Sequence, residues 1–123
     1  MADPRHELGR AAEGAVAEWL TAHDWQILAT RYRCPEGEVD LVALDPDRCL
    51  IGVEVRLRRT HRAGDALATV RPRHLRRVGA ALASFARAAA IPHVGLRVDL
   101  VAVVPGPRSR TWRLTRLPAI SEG

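Results

Sequence analysis

Three charged residues that could do chemistry stand in two largely apolar, strand-like segments, residues 37–43 and 51–58. Asp40 lies in the first segment, and Glu54 and Arg56 lie two positions apart in the second. Because side chains alternate between the two faces of a strand, Glu54 and Arg56 are predicted to point the same way. A carboxylate within an apolar strand is costly to bury unless a partner compensates its charge. A metal ion shared by Asp40 and Glu54 is one such partner.

Two carboxylates on neighbouring strands can support phosphodiester hydrolysis. Mg²⁺ prefers oxygen ligands and keeps several waters, so it can neutralise phosphate charge and activate a water molecule at such a site. Glu13 is a third candidate, because it lies at the edge of the apolar stripe of a predicted helix. A structural alternative stays open, in which Asp40 belongs to a turn and Glu54 forms an ion pair. The arginines available for that pair are Arg31, Arg56 and Arg97.

The composition fits one globular domain with a nucleic-acid partner. The chain has 123 residues, 47% of them hydrophobic, and a formal net charge of +5. All 19 basic residues are arginine, whose guanidinium binds phosphate in bidentate fashion. A GC-rich genome would produce the same bias, so charge alone does not decide the function. No apolar run could cross a bilayer and no signal-like stretch is visible, so a cytoplasmic location without a membrane partner is expected.

Hydrophobic periodicity predicts two helices and five strands. Apolar residues recur at three- and four-residue steps in residues 7–22 and 72–90, as they do on one face of a helix. Apolar runs bounded by turn residues predict strands at residues 25–32, 39–44, 49–57, 96–104 and 112–117. The last of these is expected to be an edge strand, and the second and third to form a hairpin. The order predicts an α/β domain with a mixed sheet flanked by helices.

Four short motifs follow one another along the chain: Leu8-Gly9-Arg10 with Glu13, Gly37-Glu38-Val39-Asp40-Leu41-Val42, Val53-Glu54-Val55-Arg56-Leu57-Arg58, and Arg97-Val98-Asp99-Leu100-Val101. In this order they resemble the YraN-like family of small bacterial proteins. That family is assigned to the restriction-endonuclease-like, PD-(D/E)xK superfamily and is similar to archaeal Holliday-junction resolvases. The ordered set is more specific than any single motif.

The resemblance implies a fold and an activity. The fold would be a single restriction-endonuclease-like domain over residues 1–123, with an α-β-β-β-α-β core at about residues 8–104. The activity would be Mg²⁺- or Mn²⁺-dependent cleavage of DNA, including branched or structured DNA. Asp40 and Glu54 would bind the metal together with the Val55 carbonyl, and Glu13 would support the metal or its water. Resolvases often act as homodimers, although the sequence itself leaves the oligomeric state open.

The chain departs from the family pattern at three positions. Arg56 occupies the place of the motif lysine, His74 that of a second lysine, and Arg31 that of an asparagine. Arg56 keeps the positive charge but is a poor general base, because a guanidinium does not lose its proton in proteins. An alternative therefore stays open, in which the chain binds nucleic acid on the same fold without cutting it. Asp99 matches a family position and is interpreted as structural.

A basic segment is predicted to contact DNA phosphates in a sequence-independent way. It follows the third strand and continues into the second predicted helix. Its members are Arg58, Arg59, Arg62, Arg73, His74, Arg76 and Arg77. The alternative is a solvated helix face that binds nothing.

Overall fold

The computed structural model describes residues 4–59, 63–108 and 110–120. Over these residues, none of the helices is long and apolar enough to cross a membrane. The elements, in chain order, are α1 (Pro4–Ala22), β1 (Gln26–Cys34), β2 (Gly37–Leu44), β3 (Leu50–Leu57), α2 (Ala63–Leu67), α3 (Pro72–Ala89), β4 (Leu96–Pro105) and β5 (Trp112–Leu117).

The five strands pair in one mixed sheet, in the order β1-β2-β3-β4-β5. The β3–β4 pair is parallel and the other three pairs are antiparallel. A parallel pair needs a long crossover, which α3 and its flanking segments provide. The predicted hairpin of the second and third strands is present, and β5 is an edge strand as expected. The predicted α/β fold, with helices flanking a mixed sheet and an α-β-β-β-α-β core, is confirmed.

Helix α1 covers one face of the sheet. Its residues Ala12, Val16 and Leu20 are at most 2% exposed and pack against a cluster from β2, β3 and β4. This is the predicted stripe, with one exception. Leu8 is 44% exposed, because it lies beyond the end of the sheet beside Leu57 and Pro105, the last residues of β3 and β4.

Helix α3 covers the opposite face. Its residues Val78 and Leu82 are buried against β2 and β3. The helix also approaches the first residue of β2 closely, since a Cβ atom added at Gly37 would lie 2.1 Å from the carbonyl oxygen of Arg77. This contact brings the first turns of α3 next to the start of β2, where the candidate acids lie.

Helix α2 was not predicted from the sequence. It has five residues, fewer than two turns, so it shows no helical repeat of apolar positions. Ala66 is fully buried within it, in a small cluster with Leu100 and Ala102 of β4. Burial of Ala66 against β4 therefore stabilises a helix in a segment whose composition alone would predict a loop.

Candidate functional site

The candidate site lies where β2 and β3 separate. Their pairing ends at Leu41 and Val53, whereas β3 continues alongside β4 as far as Leu57. Asp40 and Glu54 are the next residues after the last pair, one on each strand. The two acids predicted from the sequence therefore face each other at the opening of a fork.

Each of these acids bonds to the backbone of the opposite strand. The amide of Asp40 donates to Oε2 of Glu54 over 3.1 Å, and the amide of Val55 donates to Oδ2 of Asp40 over 2.8 Å. The carboxylates thus take over as acceptors at the point where the ladder of carbonyl groups ends. These bonds hold both side chains at the fork and satisfy two amides that would otherwise lack partners.

Glu54 is buried on the α3 side of the sheet, with its side chain 2% exposed. Nε2 of His74 hydrogen-bonds to its Oε1, and Nη2 of Arg56 lies 3.8 Å from the same oxygen. Burial raises the pKa of Glu54, while the Asp40 amide and the charge of Arg56 oppose that rise. Burial also lowers the pKa of His74, with the charge of Arg56 acting in the same direction. A neutral imidazole that donates its Nε2 proton to Glu54 fits this environment.

Asp40 has the most strongly perturbed pKa of the site. Burial and the neighbouring charge of Glu54 raise the pKa of this carboxyl from 3.8 to about 7, against the lowering effect of the Val55 amide. The negative charges of Asp40 and Glu54 disfavour each other. A cation bound between them is therefore favoured, because it offsets both charges.

The donor set fits a hard divalent cation. Asp40 and Glu54 offer carboxylate oxygens, and a bound cation would offset the charge that burial disfavours. Over the described ranges, no three side chains of His, Cys, Asp or Glu meet as a metal-binding group. Mg²⁺ is usually held by one or two carboxylates and its own waters, so a two-acid site suits Mg²⁺ better than a metal that needs three protein ligands. Val55 contributes its amide to Asp40, and the role of its carbonyl as a ligand stays a prediction.

Glu13 reaches the same place from α1, on the other side of the sheet. Its Oε1 accepts a bond from Nε of Arg31 over 3.2 Å. Burial raises the pKa of Glu13, and the charge of Asp40 adds to this effect. Glu13 and Asp40 therefore lie close enough for the charge of one to affect the other.

A cleft of about 300 Å³ opens beside Glu13 and Asp40. Arginines from α1 and β1 line it together with the carboxylates, so the cleft carries charges of both signs. Its lining residues are His6, Arg10, Glu13, Arg31, Arg33, Glu38, Val39 and Asp40.

The predicted DNA-contacting residues lie in two groups. Arg73, Arg76 and Arg77 are exposed on the first turns of α3. Arg58 and Arg59 directly follow β3, the first half-buried and the second exposed. The other two members of the predicted set differ from these five: His74 turns inward to Glu54, and Arg62 lies outside the described residues.

Asp99 belongs to a separate network on β4 and is completely buried. Arg97 donates two bonds to its carboxylate, of 2.8 and 3.0 Å. Arg116 adds one of 3.0 Å and the amide of Ala119 one of 2.8 Å. These four bonds tie β4, β5 and the segment after β5 together, which supports the structural interpretation of Asp99.

Sequence reasoning offered Arg31 as a possible partner of Glu54, whereas Arg31 bonds to Glu13, and it missed the contact of His74 with Glu54. Arg31 adopts a left-handed backbone conformation, with φ of 50°, which only the structure reveals. Arg10 and Glu13 are three positions apart on α1, and this spacing was a usable signal that they share a helix face. The contact of His74 depends on how α3 docks, for which the sequence carries no local signal.

Comparisons with known proteins agree on one family. The profile of the Uncharacterised protein family UPF0102 matches residues 12–103. A UPF0102 protein of Sphingopyxis alaskensis is 41% identical over 97 residues, which is 79% of this chain and 81% of that relative. One of Anaeromyxobacter dehalogenans is 37% identical over 121 residues, covering 98% and 88%, respectively. One of Renibacterium salmoninarum is 36% identical over 111 residues, covering 90% and 92%. The chain therefore belongs to the UPF0102 family.

Proposed function

We propose that this protein is a metal-dependent DNA endonuclease that hydrolyses phosphodiester bonds, with branched or structured DNA as its substrate. The observation that carries the proposal is the carboxylate pair at the β2–β3 fork. Asp40 and Glu54 are held by each other's strand and have raised pKa values, and Asp40 lines a cleft that also contains Glu13. Perturbed acids in a cleft are typical of sites that bind metal and act on phosphate esters.

Each residue of the site has a proposed role. Asp40, Glu54 and the Val55 carbonyl would hold one Mg²⁺ or Mn²⁺ ion. When bound, the ion would supply positive charge to the phosphate and lower the pKa of a water. Glu13 would orient the attacking water by hydrogen bonding, and Arg56 would stabilise the charge that develops on the phosphate. His74 holds the Glu54 carboxylate in place through its Nε2 contact.

The same features support assignment to the restriction-endonuclease-like, PD-(D/E)xK superfamily. An acid at the opening of a hairpin, followed on the next strand by Glu54, Val55 and Arg56, is the arrangement that the sequence resemblance implied. The confirmed α/β core presents it in that order. The superfamily assignment remains part of the proposal.

The proposed DNA-binding face consists of Arg73, Arg76 and Arg77, together with Arg58 and Arg59. The α3 arginines are exposed and begin one residue before His74, which contacts Glu54. A phosphate backbone that follows the first turns of α3 would therefore reach the fork. Such contacts carry no base specificity and weaken steeply with salt.

Cleavage of labelled duplex, single-stranded and four-way-junction DNA with Mg²⁺ or Mn²⁺ tests the proposal. We expect Asp40→Asn and Glu54→Gln to reduce cleavage at least about a hundredfold. Asp47→Asn is a matched control, because Asp47 is exposed in the β2–β3 turn. Glu18→Gln, exposed on α1, is the control for Glu13→Gln. Cleavage that survives in both site variants would exclude this site.

A second function, DNA binding without cleavage, has its own supporting observations. Both oxygens of Glu54 already have partners, in the Asp40 amide and in His74. Arg56 also cannot accept a proton from water. In the same experiment this function predicts salt-sensitive binding of DNA with no metal-dependent product. Absence of both binding and cleavage would contradict the two functions together.

A further inference from the structure

A second pocket lies where β3 ends, away from the acids. Its volume is about 460 Å³. It is formed by the first turns of α1 and the last residues of β3 and β4. The lining residues are Arg5, Leu8, Leu57, Arg58, Arg59 and Pro105.

Arginines line this pocket. Arg58 and Arg59 bring two guanidinium groups to it, Arg5 lies at its edge, and none of the lining residues within the described ranges carries a carboxylate. The cleft beside Asp40 differs, because Arg31 and Arg33 there pair with Glu13 and Glu38. Two neighbouring arginines in a concave site attract an anion with several oxygen acceptors.

One hydrogen-bond donor of the Arg58 guanidinium, its Nε, is not used within the described residues. Its amide continues the β3–β4 ladder by donating to the carbonyl of Val103 over 2.8 Å, and its Nη1 donates to the carbonyl of Leu57 over 3.3 Å. Its Nε, in contrast, is buried and has no hydrogen-bond partner within the part of the chain that the structure describes. A buried donor without an acceptor is unfavourable, so the guanidinium gains a bond if it turns to an oxygen in the pocket.

We infer that this pocket is a binding site for one phosphate group of a nucleic-acid backbone, with Arg58 and Arg59 as donors and Arg5 at its edge. The inference rests on the proposed function for the identity of the ligand. Arg58 lies four positions after Glu54, about 13 Å along an extended strand. About four phosphates of one DNA strand occupy that length along a duplex axis. The pocket would therefore bind the strand a few nucleotides away from the acids and fix its register over them.

Titration of the whole protein with inorganic phosphate tests the pocket without DNA. The probe is the Nε–Hε resonance of Arg58 in a ¹H–¹⁵N spectrum, assigned by its loss in Arg58→Lys. We expect this resonance to shift with saturation on adding phosphate and to stay unchanged in chloride of the same ionic strength. Arg59→Gln should raise the midpoint severalfold, whereas Arg87→Gln, exposed at the last turn of α3, should not. A shift that does not saturate, or that chloride reproduces, would overturn the inference.

The identity of the ligand is tested by the salt dependence of DNA binding. Loss of one phosphate contact in Arg59→Gln should make the slope of log affinity against log salt concentration shallower by about 0.9. Arg87→Gln should keep the wild-type slope. Saturable phosphate binding with an unchanged slope in Arg59→Gln would reject the nucleic-acid backbone as ligand. If the wild-type protein binds no DNA, the proposed function fails, and the phosphate titration still reports on the pocket.

Discussion

At the scale of single residues, Asp40 decides how the site responds to pH. The Val55 amide stabilises its charged form, but burial and the charge of Glu54 have the larger effect and raise its pKa to about 7. Between pH 3.8 and about 7 the folded protein therefore holds this proton more tightly than the unfolded chain. The carboxyl contributes to stability fully below pH 3.8, and this contribution is lost as the pH rises through about 7.

The expected consequence is a fall in stability toward alkaline pH when no metal is present. In EDTA, the free energy of unfolding from urea denaturation should drop by about 1–3 kcal/mol more between pH 5 and pH 8 in the wild type than in Asp40→Asn. The comparison isolates Asp40, since both proteins share the remaining titrating groups. Asp47→Asn should behave as the wild type. Parallel pH profiles of the wild type and Asp40→Asn would show that Asp40 ionises normally.

Replacement of Arg56 distinguishes a nuclease with weakened activity from a protein that has no nuclease activity. Lysine has a lower pKa and a smaller head group than arginine, so it can position and activate a water where arginine cannot. We therefore expect Arg56→Lys to raise metal-dependent DNA cleavage about tenfold or more, within the range of general acid–base effects. The matched control is Arg33→Lys on β1, whose partner Glu38 is 53% exposed. Equal cleavage by the wild type and Arg56→Lys would show that Arg56 does not limit the rate of DNA cleavage.

At the scale of elements, the contact between the start of β2 and α3 sets the geometry of the site. A side chain at Gly37 would meet the Arg77 backbone at 2.1 Å, and neither chain segment can move without shifting the fork or α3. Gly37→Ala should therefore reduce the free energy of unfolding by about 1–3 kcal/mol, as overpacking does. Gly14→Ala, in open space on α1, should instead increase it by about 0.5–1 kcal/mol. Similar effects of both changes in chemical denaturation would contradict the close contact.

Local sequence patterns predicted most of the helices and strands, but not how these elements pack against one another. The stripes of α1 and α3 and the β2–β3 hairpin follow from apolar spacing and turn residues, which act over a few positions. Helix α2 was not predicted, because its five residues are stabilised by the packing of Ala66 against β4, a contact between distant parts of the chain. The exposure of Leu8, beside the last residues of β3 and β4, also depends on how α1 packs on the sheet.

At the scale of the whole molecule, the candidate site is partly readable from the sequence. The sequence placed Asp40 and Glu54 on neighbouring hairpin strands, where they could converge on one ion. The structure has both carboxylates at the β2–β3 fork, and their role as metal ligands stays a prediction. The pairing of Arg31 with Glu13 and of His74 with Glu54 depends on two helices docking on opposite faces of the sheet. No spacing rule connects residues that meet only through such packing.

The whole molecule also supplies a test of metal binding that needs no DNA. A ligand that binds only the folded state raises its stability, by about 2.7 kcal/mol at a hundred times Kd. We expect Mg²⁺ to raise the Tm of the wild type and of Asp47→Asn, but not that of Asp40→Asn or Glu54→Gln. The rise should be larger at pH 8 than at pH 6, because the raised pKa of Asp40 keeps part of this ligand protonated at the lower pH. If Mg²⁺ and Mn²⁺ leave the Tm unchanged at both pH values, the acids hold the fork together as a structural pair, and metal-dependent hydrolysis is excluded.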